Sequence, residues 1–285
     1  MNIRSVGVIG AGTMGSGIAQ TCAVAGMNVV MIDVAEAAVS QGLATIAASL
    51  ARLVSKDKIP ASDRDAAIGR IRGTTSYASL DGADLVIEAA TENEALKLRI
   101  FKDIDDIASE NAIVATNTSS ISVTKLAAAT KHPRRFIGIH FFNPVPVMSL
   151  VEIIRGLQTD DATTANAEAF VRMLGKTPIT MRNSPGFVVN RVLCPMLNEA
   201  VFALQEGLGS PEAIDSAMKL GCNHPLGPLA LADLIGLDVL VAVMEVLHRD
   251  FNDPKYRPAL LLKEMVAAGY LGRKTGRGFF VYPAK

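Results

Sequence analysis

His140 stands in Ile139-His140-Phe141-Phe142-Asn143-Pro144, where an apolar run meets a proline-bounded turn. An imidazole exchanges protons near neutral pH, which suits it to take a proton from an alcohol as a hydride leaves the same carbon. The pattern also fits a buried imidazole that is simply hydrogen-bonded into a core. Glu152 lies in a second apolar run, Leu150-Val151-Glu152-Ile153-Ile154. A carboxylate there is costly to bury alone. A His140–Glu152 pair would meet that cost, orient the ring and stabilise its protonated form; an ion pair with Arg155 is the alternative. Asn117-Thr118-Ser119-Ser120 brings small polar groups to the close of another apolar run, able to bind a ligand or to cap a following helix. Asn190, in Ser184-Pro185-Gly186-Phe187-Val188-Val189-Asn190-Arg191, sits among apolar neighbours. Its amide is either structural or aimed at a ligand.

Gly10-Ala11-Gly12-Thr13-Met14-Gly15 is a G-x-G-x-x-G that follows an apolar strand-like run and opens a helix-like one. Gly10 would permit a tight turn, Gly12 would let backbone approach a pyrophosphate, and Gly15 would let helix and strand pack closely. Thr13 and Met14 complete the loop, and the helix N-terminus would offer its unpaired N–H groups to phosphates. Asp33 ends the next strand-like run about 18 residues past Gly15, where a carboxylate can accept hydrogen bonds from the adenosine ribose. A 2′-phosphate there would meet a like charge, and no Arg follows closely to offset it. NAD is therefore expected over NADP.

Other chemistries find little support. Cys22, Cys194 and Cys222 are widely separated, with no CxxC pair for a disulfide framework or a thiolate zinc site, which fits a reducing cytoplasm. His132, His224 and His248 show no ligand-like spacing with acids, so no metal is expected. Lys plus Arg and Asp plus Glu number 28 each, which gives no general reason to expect a nucleic-acid or acidic-membrane binder. The uncharged stretch from Arg4 to Asp33, with Ala23-Val24-Ala25, has the outline of a signal peptide. Its scattered glycines leave no compact apolar segment, and no later run is expected to span a bilayer.

These residues need elements to hold them at strand ends. Ser5–Ile9, Asn28–Ile32, Asp84–Glu88, Ala112–Thr116, Arg135–Phe142, Leu150–Ile154 and Pro178–Met181 read as strands. Their β-branched, non-alternating character suits a parallel sheet covered on both faces. Helical segments fall at Thr13–Ala25, Ala35–Ser55 and Ala61–Ile71. From Pro185 onward the chain reads as helix after helix: Gly186–Leu204, Pro211–Leu220, Leu226–Leu247 and Pro258–Ala268. The expected architecture is α/β, a Rossmann-like doubly wound, mostly parallel sheet over residues 1–183, followed by an all-α C-terminal domain over residues 184–285. A ligand cleft between the two is expected. The very apolar helices point to a homodimer.

Taken in order, these motifs resemble the 3-hydroxyacyl-CoA dehydrogenase family essentially end to end. The match adds Glu88-Ala89-Ala90-Thr91-Glu92 with Lys97, and the tail Gly272-Arg273-Lys274-Thr275-Gly276-Arg277-Gly278-Phe279-Phe280. The resemblance implies hydride transfer between NAD and a short-chain 3-hydroxyacyl-CoA such as (S)-3-hydroxybutyryl-CoA, with acetoacetyl-CoA as the oxidised partner. It implies His140 as general base and Glu152 as its partner. It places Ser119 and Asn190 on the substrate oxygens, with Ser119 also at the cofactor, and Glu92, Lys97, Asn143 and Lys274 near the NAD ribose and nicotinamide. Ser49 and Lys56 match positions that touch CoA; the ordinary alternative for Lys56 is an exposed lysine beside Asp57 and Lys58. Two other readings stay open: a dehydrogenase of free 3-hydroxy or sugar acids on the same fold, which would need a carboxylate clamp, and a dehydrogenase-like binding protein without turnover.

Overall fold

The computed structural model describes residues 3–283, and the chain divides after Ser184 into two compact units. The first unit is built on one eight-stranded sheet. Its strands are β1 (Ser5–Ile9), β2 (Asn28–Ile32), β3 (Ile71–Thr74), β4 (Leu85–Glu88), β5 (Ile113–Thr116), β6 (Phe136–Phe141), β7 (Leu150–Arg155) and β8 (Thr177–Arg182). They lie in the order β3-β2-β1-β4-β5-β6-β7-β8. The first six follow the order of a doubly wound dinucleotide fold.

All neighbours run parallel except β6 and β7, which pair antiparallel. A short loop joins those two, whereas parallel neighbours need a crossover. The crossovers carry α1 (Thr13–Val24), α2 (Glu36–Val54), α3 (Ala61–Gly69), α4 (Glu94–Asp105), α5 (Val123–Ala128) and, between β7 and β8, α6 (Asp161–Met173). Central strands are apolar because both faces are covered: every residue of β4 and β6 is buried.

The expected sheet and helical remainder are present, with three local differences. The strand β3 was not expected, and the helix before it ends at Gly69 rather than Ile71. Ile71-Arg72-Gly73-Thr74 pairs only with β2 at the sheet edge, so it needs no buried apolar run and shows none. The segment read as one helix over Leu226–Leu247 is two, α9 (Pro228–Ile235) and α10 (Leu237–Phe251). Gly236 breaks it with a φ of 104°, a conformation in which only glycine is unstrained. The helix expected from Gly186 begins instead at Val189, because Gly186 and Phe187 both take positive φ in a turn.

One further expectation needs correcting. By length and composition α2 is apolar enough to cross a membrane, although no such later segment was expected. Here it covers the sheet, packing on α1, α3 and β3 with Val39, Gly42, Ile46 and Leu50 inward at helical spacing.

The second unit contains α7 (Val189–Gln205), α8 (Pro211–Gly221), α9, α10 and α11 (Leu260–Ala267) around a core that includes Leu197, Val201, Leu229, Leu240 and Met244. Its tail is fastened by Asp233, 1% exposed, which accepts from the backbone N–H of Phe279 and Phe280 and from the Tyr282 hydroxyl at 2.9–3.0 Å. A Cβ on Gly278 would sit 1.9 Å from an Asp233 oxygen, which explains a glycine in that motif.

In the first unit a Cβ on Gly15 would lie 1.8 Å from the Gly10 carbonyl oxygen, a backbone atom with no room to move. Gly15→Ala should therefore push α1 off β1 and cost about 3 kcal/mol, at the upper end of overpacking. Chemical denaturation of the variant measures this, and an unchanged midpoint would refute the packing role.

Candidate active site

In the parallel part of the sheet the carboxyl ends of the strands share one edge, and the chain order reverses between β1 and β4. The glycine loop lies at that switch point. Gly10, at φ 102°, donates its N–H to the Ile32 carbonyl at 2.7 Å, and a Cβ there would lie 2.6 Å from the Ala89 oxygen just past β4. Gly12 is different: a Cβ there would meet no atom within 4 Å. The fold itself does not require that glycine, whereas a dinucleotide phosphate approaching the backbone would. The first turn of α1 has neither a side-chain cap nor an acidic residue, so its N–H groups suit an anion. Asp33 braces the loop, its carboxylate accepting from the N–H of Ala11 and of Val34 at 2.8 Å each. The residues present fit NAD.

Beyond β4 and β5 a second cluster gathers Glu88, Glu92, Lys97, Thr116, Thr118, Ser119 and Ser120. One Glu92 oxygen accepts from the Thr118 hydroxyl (2.7 Å), the Ser119 N–H (2.7 Å) and hydroxyl (2.9 Å), and the Ser120 N–H and hydroxyl (3.1 Å each). Thr118, Ser119 and Ser120 therefore meet a carboxylate, and α5 is capped by Ser122. Lys97, 1% exposed, reaches Glu92 at 3.8 Å and makes its close ion pair with Glu88, which sequence reasoning had not singled out as a site residue. The signal for Glu88 was a carboxylate closing an otherwise apolar strand.

The third group lies on β6 and β7. Their antiparallel register sets His140 opposite Glu152, and the His140 Nδ1 lies 2.7 Å from the Glu152 carboxylate. The two residues are 6% and 1% exposed. Arg155, the alternative partner, pairs instead with Asp161 at 2.6 Å and the Thr159 carbonyl at 3.2 Å. The Phe142 ring packs on the imidazole, centroids 4.5 Å apart. Past the end of β5, the Asn117 side-chain oxygen accepts from the Phe141 N–H at 2.9 Å and so ties the His140 strand to the Ser119 loop. Asn143 is exposed in the β6–β7 loop, which Lys176 holds by donating to the carbonyls of Val145 and Met148 at 2.6 and 2.7 Å. Burial lowers the Lys176 pKa.

The remaining expected residues lie on other elements. Ser49 is half-buried on α2, and Lys56 is exposed in the turn after that helix beside exposed Asp57 and Lys58. In the second unit, Asn190 is half-buried in the first turn of α7, and Lys274 pairs with Asp238 at 2.6 Å. Burial alone would raise the Asp238 carboxyl; the hydrogen bond and charge of Lys274 outweigh it and hold the group below its usual value.

Comparison with known proteins is consistent along the whole chain. Residues 5–184 match the NAD binding domain of 3-hydroxyacyl-CoA dehydrogenase, and residues 186–282 match its C-terminal domain. A 3-hydroxybutyryl-CoA dehydrogenase of Bradyrhizobium diazoefficiens is 53% identical, covering 98% of this chain and 96% of that one. A probable 3-hydroxybutyryl-CoA dehydrogenase of Bacillus subtilis is 50% identical over 100% and 99% of the two chains. The crystal structure of an (S)-3-hydroxybutyryl-CoA dehydrogenase from Ralstonia eutropha superposes with a TM-score of 0.97 at 66% identity, covering 99% of this chain and 100% of that one.

Among the described residues no group of three or more His, Cys, Asp or Glu side chains could hold a metal ion. Two of the three thiols are also chemically quiet: burial pushes both Cys22 and Cys194 up to about 12, while Cys222 is exposed. Since the thiolate is the reactive form, a disulfide reagent at pH 8 should titrate one thiol per native chain and three after unfolding. Fast reaction of two thiols in the native protein would contradict that burial.

Proposed function

The chain belongs to the 3-hydroxyacyl-CoA dehydrogenase family, and from that premise we propose that it interconverts (S)-3-hydroxybutyryl-CoA, or another short-chain 3-hydroxyacyl-CoA, and the corresponding 3-oxoacyl-CoA. NAD, when bound, supplies the acceptor for the hydride from C3. One observation carries the reading: the buried His140–Glu152 pair, 2.7 Å between Nδ1 and carboxylate, at the end of a strand in an NAD-binding sheet. With Nδ1 committed to Glu152, proton exchange with the substrate alcohol falls to Nε2. His140 takes the 3-hydroxyl proton, and the Glu152 charge balances the imidazolium that forms. In the reverse direction the same nitrogen returns the proton to the ketone oxygen.

The remaining roles follow the motifs. Gly10, Gly12, Thr13, Met14 and Gly15 receive the pyrophosphate, and Asp33 the adenosine ribose. Glu92, Lys97, Ser119 and Asn143 hold the nicotinamide half, and Ser119 also orients the substrate. Lys274 and Asn190 keep the cofactor and substrate roles of their motifs, and Ser49 and Lys56 the CoA contacts. Residues 1–183 serve as the NAD-binding domain, and residues 184–285 as the substrate and dimerisation domain. Homodimerisation through the latter is supported by Val188, Val192, Leu208, Leu220 and Leu260, all exposed. Balanced charge gives no basis for nucleic-acid or membrane partners, and three free cysteines support a cytoplasmic setting.

His140→Ala and Glu152→Gln should each lower kcat with acetoacetyl-CoA and NADH by about 100- to 10,000-fold, the range for loss of general acid–base catalysis. NAD binding measured by calorimetry should persist in both. Turnover at the unmutated rate in either variant would overturn the assignment, and equal rates on thioester and free-acid substrates would favour a free-acid dehydrogenase.

A further inference from the structure

The ion pair of Lys97 with Glu88 is buried more deeply than the catalytic pair: Lys97 is 1% exposed and Glu88 0%. Glu88 is the last residue of β4, set beside Ile9 of β1 and Thr116 of β5. Its side chain also accepts from the Ala90 N–H at 2.9 Å and the Thr116 hydroxyl at 3.2 Å. Its backbone oxygen accepts from the Asn117 N–H at 2.8 Å, and the residue after it abuts Gly10. The Glu88 side chain thus joins the end of β5 to the start of α4, while the backbone at Glu88 and Ala89 meets the segment that carries Ser119 and the glycine loop.

A lysine enclosed among strand ends needs a full counter-charge close by, because a buried ion left alone costs several kcal/mol. Two carboxylates are within reach. Glu88 makes the close contact, while Glu92 stands 3.8 Å away with its other oxygen engaged by the Thr118, Ser119 and Ser120 donors. The Glu92 side chain is 44% exposed, so it is the one able to change partner. Without the Glu88 charge, Lys97 would draw Glu92 toward itself and away from Ser119.

We propose that Glu88 is a positioning residue for the cofactor and substrate site, neutralising Lys97 so that Glu92 stays on the Ser119 segment. This rests on the reading above that Glu92, Lys97 and Ser119 line that site. Glu88→Gln keeps the size and the Ala90 contact but removes the charge. It should raise the KM for NAD about tenfold and change kcat far less, the loss being one charge-assisted contact. In a Lys97→Met background the same substitution should change KM by less than about twofold, because the group through which it acts is gone. Glu88→Asp, which retains the charge, should recover part of the loss. A merely structural role would lower the thermal midpoint in both backgrounds and leave the KM for NAD unmoved in both. Should Glu88→Gln alone fail to fold, the neutral pair Glu88→Gln/Lys97→Met decides: a KM equal to that of Lys97→Met supports the proposal, and a further tenfold rise overturns it. Glu92→Gln separates the two levels. An unchanged KM for NAD in that variant defeats the site reading itself, whereas a raised KM there with a normal one in Glu88→Gln defeats only the positioning role of Glu88.

Discussion

An ion taken out of water must be met by a partner in the same place, and this requirement organises both units. Glu152, at 1% exposure in the middle of β7, is held by His140. Lys97 and Glu88 hold each other at the strand ends. In the helical unit, Asp215 receives the first N–H groups of α9, from Leu229 and Ala230, and Asp233 receives the amides of the tail. Each carboxylate therefore fixes a chain segment as well as its own charge. The proposed role of His140 would use one such compensation: the Glu152 charge that the imidazole meets in the buried pair is the charge that would balance that imidazole on gaining a proton.

Topology decides where these compensations fall. In the parallel part of the sheet the loops leave the strands at one edge, and the reversal between β1 and β4 opens the crevice that the glycine loop borders. Antiparallel β7 then sets Glu152 directly opposite His140. A parallel strand in that place would stagger the two residues differently. Asn117 completes the arrangement by lending a side-chain acceptor to Phe141 after β5 has ended, which couples the imidazole strand to the serine loop.

The membership of this chain in the 3-hydroxyacyl-CoA dehydrogenase family gives these contacts their direction. A glycine loop braced by Asp33, a carboxylate wrapped by hydroxyl and amide donors, and an imidazole backed by a buried acid form a graded series along one sheet edge. They run from groups suited to phosphate, through groups suited to ribose, to a group suited to an alcohol. Such an order is the one that the proposed function requires of a dinucleotide at the strand ends.

Much of this was legible in the chain itself. Six of the eight strands, β1, β2 and β4 to β7, announced themselves as apolar runs, because strands covered on both faces must be apolar, and the edge strand β8 showed only the short run Pro178–Met181. The glycine loop and Asp33 followed from local spacing, since neighbouring residues build that site. The edge strand β3 carried no such signal, as an edge needs little burial, and the break at Gly236 was hidden inside a continuous apolar pattern. Residue types alone offered Glu152 both His140 and Arg155. Only the β6–β7 register set His140 opposite Glu152, while Arg155, on the other face of β7, pairs with Asp161. Glu88 likewise acquired its partner from α4 meeting β4, and Ser119 its carboxylate from the loop after β4. Local pattern fixes which segments are buried, because burial depends on composition. Which charges meet depends on strand order and register, which are set by the packing of segments distant in sequence.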